Sequence, residues 1–455
     1  MSKYLLNSSP IDGRYREEAT QLSQYFSEFA LLRERVFVET EFLLFVCRLL
    51  HISINRADMH VLIQLRRAFT LEEAEKIKAK EAKSGHDIIA VEQFLGDKLS
   101  DSRLRELIHF GLTSEDINNI AYGRLLKRFF TTVYIPSLRL LINELKTLCK
   151  THASVAMLSH THGQPATPTT LGKEIAIYAW RLSNRLLKLE GVTFSGKLNG
   201  AVGNYNAMYA AAPEIDWQNM CRKFVAKMGL KPAVISTQIL PHDDYSDLLY
   251  LVHSTNDIVE SLDRDIWNYC ALGYMSVEYL QDEVGSSTMP HKQNPRDFET
   301  SEGNLNVSSA LLGMMQSKLL SSRMQRDLSD STVKRNYGIA LGHALIGYKK
   351  TISGLRKLRI HPDVMKNDLD GHSEIYAEAL QTLLRYEGKG DSFRRIVANT
   401  RGRILTSGDI LDLGRRMGLS DRGMEKLKLA ISSRYVGIAP RLTQQVASLI
   451  EQNLQ

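Results

Sequence analysis

Apolar residues recur along this chain at steps of three, four or seven, the spacing that places them on one face of an α-helix. The longest such stretch lies between Pro241 and Pro290 and predicts one long helix. Its apolar positions are Leu248, Leu251, Val252, Ile258, Val259, Leu262, Ile266, Tyr269 and Leu272. Similar stripes predict helices over residues 138–149, 171–189, 311–320 and 339–355. The pattern therefore indicates several long helices, each of which buries one stripe.

Prolines and turn signals favour an all-α fold. The sequence has 11 prolines, about half the number expected from an average content of ~5%, so helices can run far. Alternating strands around a hairpin turn are nearly absent, because Asp12-Gly13 and Asn199-Gly200 lack such flanks. We therefore predict an all-α protein of three domains with a long central helical bundle. The expected domains are an N-terminal helical domain (1–112), the bundle domain with its polar loop (113–360) and a C-terminal helical domain (361–455).

Composition narrows the class of protein and its location. Of the 455 residues, 43% are hydrophobic and 24% are charged, which is ordinary for a globular protein. The net charge of +7 is spread thinly, and the main basic cluster, 349–359, is more typical of a solvated helix face than of a nucleic-acid site. The four cysteines form no CxxC pair, which excludes a local zinc ribbon or redox dithiol. No signal-peptide pattern and no apolar run of ~18 to 20 residues is present, so we expect a cytoplasmic protein.

One loop combines several reactive side chains. Residues 285–295 read Gly-Ser-Ser-Thr-Met-Pro-His-Lys-Gln-Asn-Pro, with three hydroxyls, a lysine, two amides and two prolines. Glycine and serine permit movement at the start of the loop, and the prolines restrict the backbone toward its end. Serine and glycine alone would favour an ordinary polar loop between helices. The second half, with Lys292 and Asn294 between the prolines, favours a functional site.

These eleven residues resemble the signature of the fumarase/aspartase superfamily, Gly-Ser-Ser-x-Met-Pro-x-Lys-x-Asn-Pro, without a gap. His291, within Thr-Met-Pro-His-Lys, is similar to the adenylosuccinate lyase branch rather than to fumarase, aspartase or argininosuccinate lyase. Segments 9–15, 161–168, 199–206 and 325–333 resemble the bacterial members of that branch. The resemblance therefore spans nearly the whole chain.

The resemblance implies a fold, an assembly and a reaction. The fold would be a three-domain α protein, and four subunits would form a homotetramer in which three subunits share each active site. The reaction would remove fumarate from adenylosuccinate, leaving AMP, and from the succinyl aminoimidazole carboxamide ribotide (SAICAR), leaving its amide (AICAR). Both steps belong to purine biosynthesis. No metal or organic cofactor is implied.

The resemblance also implies which residues break the carbon–nitrogen bond. Ser286 matches the general base, although a hydroxyl is a poor base unless a closed, water-poor site stabilises its alkoxide. Lys292 and Asn294 have the right chemistry to stabilise the charge that collects on the succinyl carboxylate. His162 matches the acid that protonates the departing nitrogen, because histidine titrates near neutrality. Glu299 matches the carboxylate that orients this imidazole.

Further residues match substrate-binding positions. From the residues alone, His86 and Asp87 would be interpreted as a cap or surface pair; by resemblance they bind substrate, and His86 joins the catalytic set. The other binding candidates are Arg14, Tyr15, Gly85, Thr113, Ser114, Gln238, Ser287, Lys292, Thr300, Arg326, Ser331, Thr332, Val333, Lys334 and Arg335. Arginines and hydroxyls suit a nucleotide phosphate with about two negative charges. Gly85, His160 and Thr300 depart from the bacterial pattern, which has asparagine, arginine and asparagine there.

Two alternatives remain open from the sequence. Another lyase of the superfamily, acting on argininosuccinate or aspartate, is disfavoured by His291 and by the phosphate-type arginines. A non-catalytic helical scaffold or nucleic-acid-binding bundle is favoured only by the excess of basic residues. The joint presence of Ser286, Lys292 and His162 argues against this second alternative.

Overall fold

The computed structural model describes residues 3–279 and 288–454. It is 68% helical with little strand, which confirms the all-α prediction. The chain divides into two compact units. The first unit consists of Met1–Ser137, Lys188–Asp257 and Asn304–Gly347, and the second of Leu138–Leu187, Ile258–Gly303 and Tyr348–Gln455. Within the described ranges, no helix is both long enough and apolar enough to cross a membrane. The predicted domain boundaries after residues 112 and 360 stay a prediction.

The helices are numbered here in chain order. They are α1 (Arg16–Ala19), α2 (Ser23–Phe26), α3 (Glu28–Leu49), α4 (Arg56–Arg67), α5 (Leu71–Ser84), α6 (Asp87–Lys98), α7 (Ser102–Glu106), α8 (Ser114–Phe129), α9 (Ile135–Thr151), α10 (Leu171–Glu190), α11 (Asn206–Ala211), α12 (Trp217–Lys227), α13 (Asp243–Ala271), α14 (Arg296–Leu319), α15 (Ser329–Lys334), α16 (Tyr337–Arg356), α17 (Pro362–Gly371), α18 (Ala377–Tyr386), α19 (Ser392–Thr400), α20 (Ser407–Arg416), α21 (Asp421–Ser432) and α22 (Ala439–Asn453). Short 3₁₀ turns cover Lys3–Leu6, Thr20–Leu22 and Ser373–Tyr376, and a π-helical turn covers Phe130–Tyr134.

The five predicted apolar stripes lie on α9, α10, α13, α14 and α16. The longest of these helices, α13, has 29 residues, and two aspartates in its first turn complement the positive end of the helix dipole. It ends at Ala271, well before Pro290, because Gly273 adopts a positive φ of 74° that stops the helix. Sequence periodicity therefore located the helices and placed the end of α13 too late.

Three short pairs of strands accompany the helices. They are β1 (Ala156–Thr161) antiparallel to β2 (Gln164–Thr170), β3 (Ser195–Gly196) parallel to β4 (Lys231–Pro232), and β5 (Met275–Val277) antiparallel to β6 (Leu358–Ile360). The first pair is a hairpin, although the sequence pattern indicated that hairpins are nearly absent. Pro165 and Pro168 obscured the strand pattern, and a two-stranded sheet tolerates prolines because both of its strands are edges.

The core of the first unit packs around α3. This helix contacts α4, α6 and α8, and its N-terminus is capped by the Ser27 hydroxyl, which accepts a hydrogen bond from the Ala30 amide at 3.1 Å. Leu32, Val36 and Phe94 are almost completely buried in this cluster, and each contributes about 1.5–3 kcal/mol on leaving water. The same helix also buries charged residues, which places ion pairs inside the unit.

The core of the second unit holds the base of the β1–β2 hairpin. Leu158 on β1 is fully buried in one cluster with Leu380, Leu413 and Leu427 of α18, α20 and α21. The hairpin therefore extends from a packed helical core, and its turn is the part that reaches solvent.

Candidate active site

His162 occupies the turn of the β1–β2 hairpin. Thr161 pairs with Gln164 across the strands, so His162 and Gly163 form a two-residue loop. Their φ angles are 54° and 70°, the left-handed conformation that a type I′ hairpin turn requires at both positions. The imidazole is exposed. The second unit thus presents His162 on a short, geometrically defined turn.

The polar loop is described only in part, because Ser286 and Ser287 lie outside the described residues. After it, the Lys292 amide donates a hydrogen bond to the Met289 carbonyl at 3.1 Å, and the Tyr279 hydroxyl donates to the Asn294 carbonyl at 2.6 Å. These bonds define the path of the chain into α14. The Lys292 side chain is exposed, so its ammonium is accessible to a bound anion.

Glu299 lies in the first turn of α14, and its carboxylate accepts a hydrogen bond from the Trp267 indole at 3.0 Å. The expected partner, His162, belongs to the same unit. Among the described residues of one chain, the Glu299 carboxylate is bonded to this indole and not to His162. Thr300 follows on α14 and is half-buried. The role of Glu299 stays a prediction.

Gly85 and His86 form the junction between α5 and α6. Gly85 ends α5 with a φ of 69°, and glycine and asparagine are the residues that adopt this conformation most readily. His86 caps α6, because its Nδ1 accepts a hydrogen bond from the Ile89 amide at 3.3 Å. In the neutral imidazole the proton then lies on Nε2. His86 is therefore a helix cap whose other ring nitrogen can donate to a ligand.

Asp87 connects this junction to two arginines. Its carboxylate accepts a hydrogen bond from buried Arg35 at 2.6 Å and lies 3.5 Å from the Arg335 guanidinium. Burial alone raises the pKa of Asp87, but the Arg35 guanidinium outweighs it, and the pKa lies below its usual value. The structure therefore brings together Asp87 and Arg335, two of the predicted binding residues.

The first turn of α8 organises a second group of predicted residues. The Asp116 carboxylate accepts hydrogen bonds from the amides of Thr113, Asn199 and Gly200, each at 3.0 Å. It also pairs with the Lys197 ammonium at 3.0 Å, and both side chains are 0% exposed. A carboxylate with four donors is strongly held. Asp116 thus fixes the Thr113-Ser114 segment against the loop that begins at Lys197.

Gln238 joins the same group. Its side-chain amide donates a hydrogen bond to the Ala201 carbonyl at 2.9 Å, and the nearby Asn199 amide donates to the Ser236 hydroxyl at 2.8 Å. The segment around Gln238 also borders a cavity of about 370 Å³ that includes Thr237 and His242. Three separate segments of the first unit, at 113–114, 199–201 and 236–238, therefore meet.

The remaining predicted binding residues lie near the N-terminus and on α15. Arg14 is exposed, and the Tyr15 amide donates to the Pro10 carbonyl at 2.8 Å in a tight turn. Ser331, Thr332 and Val333 lie on α15 and are exposed or half-buried. The Lys334 side chain is almost completely buried and pairs with Glu115 and Asp330, and Arg326 reaches the same two carboxylates.

Glu115, His242 and Asp330 have the donor atoms of a metal site. One ligand atom of each lies within 4.8 Å of the others. The Lys334 ammonium is 2.7 Å from both carboxylates and already supplies a cation between them. Burial lowers the pKa of His242 to about 3, so its imidazole is neutral. The two carboxylates are therefore neutralised by the side chains of Lys334 and Arg326.

Sequence reasoning missed the buried residues that hold this arrangement. Arg35, Glu115, Asp116, Lys197 and Asp330 were not predicted as site residues. Asp116 could have been found, because Thr113-x-x-Asp116 is a helix-capping pattern. Asp330 also had a local signal, because Arg326 and Lys334 lie four residues before and after it in the chain. The charged partners of Arg35, Glu115 and Lys197 are distant in the chain, so these three carry no such signal.

Comparison with known proteins identifies the class. The family described as "Lyase" matches residues 13–307, and the family described as "Adenylosuccinate lyase C-terminal" matches residues 322–436. Among solved structures, a fumarate lyase from Mesorhizobium sp. BNC1 has a TM-score of 0.78 at 18% identity over 94% of this chain and 97% of that one. The 3-carboxy-cis,cis-muconate lactonizing enzyme from Pseudomonas putida has a TM-score of 0.77 at 17% identity over 96% and 98% of the two chains. The fold is therefore that of the fumarate lyases, and the chain is a lyase.

Curated relatives narrow the family. Adenylosuccinate lyase from Legionella pneumophila (strain Corby) is 40% identical over 96% of this chain and 97% of its own length. Adenylosuccinate lyase from Escherichia coli (strain K12) is 39% identical over 96% and 98% of the two chains. The chain belongs to the adenylosuccinate lyase family, as the sequence resemblance implied.

Proposed function

We propose that this chain removes fumarate from adenylosuccinate, leaving AMP, and from SAICAR, leaving AICAR. The observation that carries the proposal is identity of about 40% to adenylosuccinate lyases over nearly the full length of both chains. The geometry of the first unit supports it. Arg326 and Arg335 lie in one unit with the Thr113-Ser114 segment, and such a set of cations and hydroxyls suits a substrate with phosphate and carboxylate groups.

The proposed elimination needs a base, an acid and a stabiliser of negative charge. Ser286, as its alkoxide, takes the proton from the carbon beside the succinyl carboxylate and becomes a hydroxyl, and Lys292 and Asn294 stabilise the resulting carbanion. The electron pair then forms the carbon–carbon double bond of fumarate as the carbon–nitrogen bond breaks. His162 delivers a proton to the departing nitrogen, and such a transfer from a positioned side chain speeds the departure. Protein side chains supply every proton transfer, and no cofactor takes part.

The proposed binding residues fall into three groups, according to the part of the substrate that each contacts. Arg14, Tyr15, Arg326, Ser331, Thr332 and Arg335 contact the phosphate and ribose. Thr113, Ser114, Gln238 and Ser287 hold the succinyl carboxylates and neighbouring groups. His86 and Asp87 hold the leaving portion, with the His86 Nε2 proton available because Nδ1 caps α6. Gly85 and Thr300, which differ from the asparagines of the bacterial pattern, affect the affinity for the nucleotide rather than the elimination.

We further propose a cytoplasmic homotetramer with shared active sites. In one chain the Glu299 carboxylate binds Trp267 rather than His162, so a pair between Glu299 and His162 would form between copies. The three-domain division after residues 112 and 360 belongs to the same proposal. Light scattering should give the mass of four chains, and a stable, active monomer would contradict shared sites.

Fumarate release tests the proposed substrate. Purified protein in a metal chelator is given adenylosuccinate, argininosuccinate or aspartate, and fumarate is followed by ultraviolet absorbance. We expect fumarate from adenylosuccinate alone. Release only from argininosuccinate or aspartate would assign the chain to another lyase of the superfamily, and release from none would overturn the proposed activity.

A further inference from the structure

A buried group of charges joins α15 to the first turn of α8 in the first unit. The Lys334 ammonium lies 2.7 Å from a carboxylate oxygen of Glu115 and 2.7 Å from one of Asp330. The side chains of Lys334, Glu115 and Asp330 are 3%, 2% and 7% exposed. Charges this far from water are stable only when they are paired. Glu115 is next to Ser114, and Lys334 is next to Arg335, so the pair connects two segments that carry predicted binding residues.

Arg326 contacts the same carboxylates from further away. Its guanidinium is 3.3 Å from Glu115 and 3.5 Å from Asp330, and its side chain is 22% exposed. The contacts of Lys334 are short hydrogen bonds, and those of Arg326 are long and only weakly directional. The two carboxylates thus take their close counter-ion from Lys334. Arg326 stays at the outer side of the group with part of its surface in solvent.

Removal of the Lys334 charge would change which cation neutralises the two carboxylates. Glu115 and Asp330 would then have Arg326 as their remaining close cation, and two carboxylates in a buried place attract a neighbouring guanidinium strongly. Asp330 Oδ1 is buried without a hydrogen-bond partner among the described residues, so a guanidinium that moves inward would find an acceptor there. His242 is a poor replacement for the ammonium, because burial is the largest cause that lowers the pKa of its imidazole and does not depend on Lys334.

We infer that Lys334 is a positioning residue: its buried ammonium neutralises Glu115 and Asp330 and thereby leaves the Arg326 guanidinium available to the anionic substrate. The inference rests on the proposed function and changes the predicted role of Lys334 from substrate contact to internal counter-ion. It places the effect of Lys334 on substrate binding, because Lys334 acts through Arg326, a proposed contact of the substrate phosphate.

Steady-state kinetics on the full-length protein test this inference. Lys334→Met should raise the KM for adenylosuccinate by about tenfold and change kcat by less than about threefold. Adding Glu115→Gln removes the excess negative charge, so the double variant should return KM to within about threefold of the unmodified protein. In an Arg326→Met background, Lys334→Met should add no further increase in KM, because Lys334 acts through that guanidinium.

Lys227→Met is the matched control. Lys227 pairs with the buried Glu41 carboxylate at 2.7 Å, and neither α12 nor α3 carries a predicted site residue, so its KM should not change. Circular dichroism and light scattering confirm that each variant is folded and assembled. If Lys334→Met does not fold, the double variant with Glu115→Gln can still be measured. Its KM should then be close to that of the unmodified protein.

Three results would overturn the inference: an unchanged KM in Lys334→Met, a double variant no better than the single one, or equal losses with and without Arg326. A protein that folds and releases no fumarate from adenylosuccinate before any substitution would instead overturn the proposed function.

Discussion

A buried lysine in the first unit is stable only because a buried carboxylate compensates its charge. Lys197 is 0% exposed and contacts Asp116, which is equally buried. Removing one partner of such a pair leaves the other charge without compensation, and this typically costs about 3 to 5 kcal/mol. An exposed pair costs far less, because water replaces the lost partner. Burial, rather than the presence of an ion pair, therefore decides which lysines the fold needs.

Lys197→Met should lower the free energy of unfolding by about 3 kcal/mol, because it leaves the Asp116 carboxylate with its amide donors but without its cation. Lys227→Met should change it by less than about 1 kcal/mol, because this lysine is 55% exposed and the buried Glu41 carboxylate keeps Arg66 as its other cation. Denaturant unfolding measures both. Equal effects of the two substitutions would contradict the account of the Lys197–Asp116 pair.

His109 should make the stability of the first unit depend on pH. Burial lowers its pKa, but the Glu39 carboxylate at 2.6 Å outweighs burial, with smaller contributions from Glu92 and Asp116, and the pKa is raised. A raised pKa stabilises the fold below the unfolded value of about 6.5, and this stabilisation is lost as pH rises through the folded pKa.

The comparison between the unmodified protein and His109→Gln measures this effect. The difference in free energy of unfolding between the two should be larger by about 1 kcal/mol at about pH 5.5 than at about pH 9. The same difference at both pH values would show that the imidazolium does not pair with Glu39.

At the scale of elements, helix α13 and the β1–β2 hairpin differ in how far the local sequence predicts them. The apolar stripe of α13 predicted that helix because its period appears within the helix itself. The hairpin was not predicted, since Pro165 and Pro168 interrupt the alternating pattern of β2. His162 was named from the resemblance, and the structure places it at the turn of this hairpin. The contacts of Asp116 with Lys197 and of Lys334 with Glu115 could not be predicted, because these partners are distant in the chain.

Gly163 should be needed because of its left-handed backbone conformation, and not because a larger side chain would clash with a neighbour. Its φ is 70°, and an added Cβ would meet nothing within 4 Å. Gly163→Ala should therefore destabilise the hairpin by about 1–2 kcal/mol, and Gly163→Asn by less, because asparagine tolerates this conformation. Thermal unfolding and kcat measure the result, and we expect kcat to fall with Ala more than with Asn. Identical behaviour of the two variants would contradict the type I′ assignment.

At the scale of the whole molecule, the proposed sharing of active sites between copies leads to a further prediction. His162→Ala and Ser286→Ala should each abolish turnover, since each removes one proton-transfer group. If each site takes these residues from different copies, mixed tetramers of the two variants will contain some sites with both groups intact. Co-refolded mixtures should therefore regain part of the activity, whereas each variant refolded alone should not. A mixture as inactive as its parents would place both residues in the same copy.

The family, the fold and the position of the polar loop could be predicted from the sequence, because motif residues lie next to one another in the chain. The arrangement of the first unit could not, because it depends on which buried charges meet. Arg35 and Asp87 illustrate this: they are 52 residues apart in the chain and form a hydrogen bond of 2.6 Å.

The most direct test of the central claim is a single turnover with the protein in excess over adenylosuccinate, followed by proton NMR. The unmodified protein should convert the substrate to equal amounts of AMP and fumarate in the presence of a chelator, and Ser286→Ala should bind the substrate and leave it intact. Rapid conversion by Ser286→Ala, or unchanged adenylosuccinate with the unmodified protein, would contradict the claim.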